Sequence, residues 1–313
     1  MSWNAALEPL CPDAGTAESV ETIVVPRTRD LGGFNVRRVL PAAKRRLVGP
    51  FVFFDHVGPA HFGPGEGGID VRPHPHIGLA TVTYLHKGEF QHRDSLGTNQ
   101  MIYPGEVNWM IAGRGISHSE RTSAETRAGS HDLLGVQTWV ALPKAYEDMA
   151  PAFEHVKRAA LPHLEFDGLD ARLILGRAYG ESAPVKVFQD MFYLDAQLTG
   201  GAKMPLPDDQ QERAIYIMEG CIGIGSEWYE AGQMLVFREG DPITLAAGPD
   251  GAHIMLCGGE AMDGPRYIWW NFVASSKERI EAAKADWVDP ERRAERFPLP
   301  PGDSAEFIPL PED

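Results

Sequence analysis

The sequence predicts an all-β protein made of two copies of one barrel or sandwich, with a short helix near its C-terminus. Three observations carry this prediction. Short segments rich in β-branched and aromatic residues recur between Gly, Pro and Asp clusters. Two of these segments reappear later in the chain. The length of 313 residues also exceeds that of a typical single domain.

Taken in order, residues 1–19 mix acidic positions with prolines and predict a flexible N-terminus. A first strand series follows at Glu21–Pro26, Phe51–Asp55, Leu79–His86, Val107–Ile111 and Leu133–Leu142. It defines an N-terminal domain over 20–143. Residues 144–184 are rich in Pro, Ala and charge, hold one strand candidate at Ala171–Gly176, and predict a connector. The second series, Phe188–Leu198, Arg213–Met218, Gln233–Phe237 and Ala252–Cys257, defines a C-terminal domain over 185–288. Within the two series Tyr84–Gly88 resembles Tyr216–Gly220, and Pro104–Met110 resembles Ala231–Phe237 at nearly the same offset. One internal duplication explains both matches. Ser275 and Glu278 have capping-box spacing, and Ile280, Ala283 and Trp287 then follow on one helical face. The proline-rich residues 289–313 predict an extended tail.

Bulk properties exclude several classes. A formal charge of −15 repels phosphate backbones, which argues against direct nucleic-acid binding. Cys11, Cys221 and Cys257 are odd in number and widely spaced, as expected of free thiols in a reducing compartment. No signal-peptide pattern and no run of 18 apolar residues occurs, so the expectation is a cytoplasmic protein with no membrane partner. There is no P-loop, no strand-linked G-x-G-x-x-G and no G-x-S-x-G elbow, which removes the commonest nucleotide and hydrolase chemistries.

The chemistry concentrates in His74-Pro-His76 and His118-Ser-Glu120. Residues i and i+2 of a strand share a face, so each pair presents two ligand heads to one point. Two such pairs on facing strands make a cage of three imidazoles and one carboxylate, a donor set for a divalent first-row transition ion with coordination positions left open. A lone H-x-H is more often a surface or hydrogen-bonded pair. Here Gly78 and Gly88 frame the first strand, and Gly113 and Gly115 precede His118, giving the backbone freedom to aim the ligands inward. His92 reads as a group that orients a ligand or lies at the surface. His56, His61 and His86 read as exposed or hydrogen-bonded, and Trp109 as core. Cys221 and Cys257 read as small core residues.

At these residues the chain resembles the pirin family of two-cupin proteins. The resemblance rests on Val71–Leu85 (VRPHPHIGLATVTYL), His92–Gly97 (HRDSLG) and Asn108–Glu120 (NWMIAGRGISHSE). It extends through Gly49–His56 (GPFVFFDH) to the Pro301–Asp303 and Phe307–Pro311 tail, covering most of the chain beyond residue 20. It implies two tandem cupin (jelly-roll) barrels, with iron(II) commonly held in the first by the positions matching His74, His76, His118 and Glu120. Copper, nickel, manganese and zinc accept the same donors. The duplication sets Leu206 and Asp208 opposite His74 and His76, and His253 stands isolated, so no metal is expected in the second barrel.

The resemblance further implies a quercetin 2,3-dioxygenase-like activity on a small aromatic or enediol substrate with dioxygen. Glu120 would then be the catalytic base as well as a metal ligand. The alternative it implies is a metal- and redox-responsive regulator acting through a protein partner.

Overall fold

The computed structural model describes residues 15–30 and 34–312. Cys11 and the first fourteen positions of the predicted flexible segment lie outside the described residues; Ala17–Ser19 form a short 3-10 turn. Among the described residues the chain forms a ten-stranded, a seven-stranded, a four-stranded and a two-stranded sheet, so the all-β prediction holds. No helix among them is long and apolar enough to cross a membrane.

Two compact units emerge, and their boundaries differ from the predicted domains. One unit holds residues 28–38, 53–158 and 262–313, and the other holds 39–52, 159–261 and the residues up to Arg27. The predicted connector is therefore built into strands. Ala152–Val156 pairs with Val107–Ile111, whereas His163–Phe166 pairs with Leu169–Ala178, whose other edge pairs with Met191–Leu198. Proline and charge in this stretch mark edge strands, which tolerate both.

In the first unit, strands Asp70–His76, Ile116–Arg121, Phe90–Asp94 and Asn99–Ile102 lie in that order in the four-stranded sheet. In the seven-stranded sheet, Leu79–Lys87 lies between Val107–Ile111 and His131–Ala141. Both sheets contribute to one core: Val36, Val57, Leu85 and Leu133 from the larger, Phe90 and Ile102 from the smaller. Phe90–Asp94 shows the governing period, with Phe90, His92 and Asp94 buried and Gln91 and Arg93 half-buried between them.

The second unit is one curled sheet around a core including Leu173, Phe192, Ile215, Leu235 and Ile254. Its two longest strands, Glu212–Ile224 and Thr244–Gly259, pair with register breaks at Ile217/Glu219 and Gly220/Ile222. Such breaks bend a strand and let a sheet close on itself.

The duplication reaches the level of single hydrogen bonds. Tyr84 opposes Val107 in one barrel, and Tyr216 opposes Met234 in the other. Gly105 N–H donates to Leu85 O at 2.8 Å, and Gly232 N–H donates to Ile217 O at 2.7 Å. Both glycines have positive φ, 79° and 86°, as this shared turn requires.

The C-terminal segment differs most from expectation. Helix Lys277–Val288 buries Ile280, Ala283 and Trp287 as predicted, but its N-cap is Ser276. Ser275 is instead engaged by Glu147, which accepts from its hydroxyl at 2.6 Å and its N–H at 3.0 Å. The predicted extended tail begins with a second helix, Pro290–Arg296. Asp289 caps it by accepting from the N–H groups of Glu291 (2.9 Å) and Arg292 (3.1 Å), and Pro290 occupies the first turn, where its missing N–H costs nothing. Phe272, Trp287 and Phe297 close over Ile77, next to the strand that carries His74 and His76.

Candidate metal centre

Three histidines meet because two strands pair in one register. His118 lies opposite His74, and Ile116 opposite His76. Between His118 and Glu120 the register slips, so Glu120 faces Val71 on one side and His92 on the other. His74, His76 and His118 are buried, and their donor atoms all lie within 4.8 Å of one another. His76 Nε2 and His118 Nε2 are 3.1 Å apart. Two nitrogens bound to one ion at about 2.1 Å and about 90° apart lie about 3.0 Å from each other, so this spacing suits a shared cation.

The other ring nitrogens of two of these histidines face carbonyl oxygens. His74 Nδ1–H donates to Arg72 O and His76 Nδ1–H to Asn271 O, each at 2.9 Å. A carbonyl only accepts, so both rings carry the proton on Nδ1 and offer a bare Nε2. Asn271 lies in the turn of the hairpin Tyr267–Trp269/Phe272–Ala274, beside Trp270 at φ 49°. Gly78, with φ 66°, lets this hairpin approach: a Cβ there would come within 2.1 Å of Val273 O.

Burial holds the three imidazoles uncharged near neutrality. It pushes His74 down to about 4, and His76 and His118 well below the usual imidazole range, with mutual repulsion adding to the effect at His76 and His118. It pushes Glu120 up to about 7 against the opposing hydrogen bond from Gln137. Neutral imidazoles are the form that binds metal, and a dication would reverse the penalty on the carboxylate.

Glu120 is not among the atoms gathered with the three histidines. Its Oε1 accepts from Gln137 Nε2 at 2.8 Å, and the carboxyl borders a small cavity of about 30 Å³. Val57, Ile69, Leu85 and Phe90 form apolar walls there; Thr83, Gln137 and Asp55 supply the remaining polar groups. Asp55 accepts two bonds from Arg38, at 2.9 and 2.8 Å, yet its carboxyl is raised because burial outweighs the guanidinium.

The remaining histidines separate by partner. His92 is buried, with Nε2 3.0 Å from Asp94 Oδ2 and Nδ1 3.4 Å from His118 Nδ1. His56 is buried in a strand and hydrogen-bonded, its Nε2 3.2 Å from Arg37 Nη2. His61 is exposed and paired with Asp132 at 2.7 Å. His253, expected to stand isolated, pairs with Asp195 at 2.6 Å. Trp109 is fully buried. Cys257 is also buried, with its thiol pushed up to about 12 by desolvation; Cys221 is half-buried.

Sequence reasoning did not reach Gln137, Asn271 or Asp94. Asp94 had a readable signal, since it follows His92 by two on one strand. Asn271 had none, lying 195 residues from His76.

Comparison with known proteins points the same way. The sequence matches the Pirin family over residues 33–140 and the Pirin C-terminal cupin domain over residues 193–292. A pirin-like protein of Caulobacter vibrioides is 49% identical over 296 residues, 94% of this chain and 100% of that one. Human pirin is 31% identical, with 90% of this chain and 96% of the other covered. The crystal structure of a quercetin 2,3-dioxygenase from Acinetobacter baumannii matches with a TM-score of 0.85 at 32% identity, covering 93% of this chain and 95% of the other.

Proposed function

The chain belongs to the pirin family, and we propose that it is a metal-dependent dioxygenase acting on small hydroxylated aromatic or enediol compounds, flavonols such as quercetin among them. The observation that carries this reading is the 3.1 Å approach of two imidazole nitrogens inside a buried cluster of three, with a carboxyl next to it at a largely apolar cavity. The similarity to a solved quercetin 2,3-dioxygenase supports the reaction class.

His74, His76 and His118 would hold the ion, with Glu120 as the fourth ligand and iron(II) as the favoured metal. When bound, the ion supplies a Lewis acid for a substrate oxygen and a redox centre for dioxygen chemistry. The protein supplies the rest. Apolar walls exclude water, and Gln137 fixes the orientation of Glu120 through Oε1. Glu120 accepts the proton of a substrate hydroxyl. Burial strengthens that carboxyl as a base, and a bound cation would weaken it again. The deprotonated substrate is then electron-rich enough to react with dioxygen.

Elemental analysis of anaerobically purified protein, followed by oxygen uptake with quercetin, tests the reading. We expect near-stoichiometric iron and substrate-dependent uptake that His118→Ala and Glu120→Gln abolish. Bound metal without uptake on any hydroxylated aromatic would shift the assignment to a redox-responsive regulator. Folded protein that takes up no transition metal would overturn the metal centre itself.

A further inference from the structure

Among the described residues, His118 alone of the three clustered histidines has no carbonyl at Nδ1. Its neighbour there is His92, at 3.4 Å, and what His118 presents at Nε2 depends on which nitrogen of His92 carries the proton. That choice is made one step further out. His92 Nε2 lies 3.0 Å from Asp94 Oδ2, an acceptor, so Nε2 bears the hydrogen and Nδ1 of the neutral ring is a lone pair. With His118 Nε2 turned to an ion shared with His76 Nε2, 3.1 Å away, His118 Nδ1–H donates to that lone pair.

We propose that Asp94 and His92 are positioning residues that lock the tautomer of His118, so that its Nε2 faces the metal as a lone pair. The lock rests on the reading of His118 as a ligand, but the His92 proton that it depends on is placed by Asp94 in the metal-free protein as well. Its geometry comes from strand Phe90–Asp94, whose period of two turns both residues inward, and from the pairing of His118 with Asp94 on the adjacent strand. The Asp94 carboxylate is itself fixed. Its Oδ1 accepts from the N–H groups of Leu96 at 2.9 Å and Thr98 at 3.1 Å, which commits Oδ2 to His92.

This commitment makes Asp94→Asn more informative than a truncation. The two turn amides hold the asparagine oxygen at the Oδ1 position, so its NH₂ group points at His92. A donor there forces the His92 proton to Nδ1 and drives the His118 proton to Nε2, where it blocks the lone pair. His92→Asn does the opposite, because its Oδ1 takes the place of the ring Nδ1 and still accepts from His118.

Long-range ¹H–¹⁵N spectra of the full-length, metal-free protein with ¹⁵N-labelled histidine read these tautomers directly, and a Co²⁺ titration of the same samples reads the consequence. We expect Nε2–H at His92 in the parent. Asp94→Asn should move that proton to Nδ1 and weaken Co²⁺ binding by on the order of 10–100-fold. His92→Asn should bind Co²⁺ close to the parent. A parent spectrum with the His92 proton on Nδ1 overturns the lock without any variant having to fold. Unchanged Co²⁺ affinity in an Asp94→Asn protein with an inverted His92 overturns it too. The expected His92 tautomer in a protein that binds no Co²⁺ would uphold the proton arrangement and remove the metal-centre reading instead.

Discussion

Without a cation, the buried acid and the buried bases of the site respond to pH in opposite directions. Glu120 is raised from 4.5 to about 7 by burial, so the fold binds its proton more tightly than the unfolded chain does. That contribution is complete below pH 4.5 and is lost as pH rises through about 7, amounting to ~3 kcal/mol. His74 is lowered from 6.5 to about 4, so its contribution is complete above 6.5 and is lost as pH falls toward 4. Glu120→Gln removes only the first effect. In urea denaturation with chelator present, the stability of the variant relative to the parent should rise by ~3 kcal/mol between pH 4.5 and 8. A difference that stays constant over this range would show that Glu120 is not a buried, titrating carboxyl. At this scale the histidines were legible because the spacing i, i+2 is a local signal for a shared face. Gln137 and the Asn271 carbonyl were not, because only strand pairing and chain return bring them to Glu120 and His76.

Among the elements, the hairpins were readable and the edges were not. Tyr84–Gly88 and Tyr216–Gly220 share residue types because both feed a turn with the same hydrogen bond, and such turns are written locally. The register slip between His118 and Glu120 left no mark in the sequence, since it depends on the partner strand. The hairpin Tyr267–Ala274 is held close by Gly78, and this yields a prediction. Gly78→Ala places a Cβ against Val273 O in a left-handed backbone, at a cost above ~2 kcal/mol, and must displace the hairpin that fixes His76. We expect a lower melting temperature together with reduced Co²⁺ content, read by thermal denaturation and elemental analysis. Trp287→Ala tests the helix behind that hairpin, since Trp287 packs edge-on to both Phe297 and Phe307. Its loss should cost ~3–5 kcal/mol in chemical denaturation.

At the scale of the molecule, the two-barrel architecture was legible but the division of the chain between the barrels was not. Composition marks a linker by its prolines and charges, and here those residues lie in edge strands and caps. The last 52 residues, 262–313, belong to the unit that carries the histidine cluster although they follow the second barrel in sequence. They reach the ligand strands at several points: Ile308 N–H donates to Pro73 O at 2.8 Å, Ser117 Oγ–H donates to Pro298 O, and Arg121 grips Asp303 with two bonds at 2.9 and 3.0 Å. A chain ending at residue 261 should therefore lose stoichiometric metal, as elemental analysis would show. Full metal content in a folded truncation would mean that the tail is dispensable to the site.

The exchange of chain segments between the units also orders events during synthesis. His74, His76 and His118 leave the ribosome early, yet the carbonyl that orients His76 and the tail that braces Ser117 and Arg121 are made last. At about 5–20 residues per second, the ligands wait on the order of ten seconds for their supports. The unit that carries the three histidines is completed last, so a metal held by them would be acquired only once Asn271 and the tail are in place. A nascent chain stalled before Asn271 would carry all three histidines without a site in which to use them.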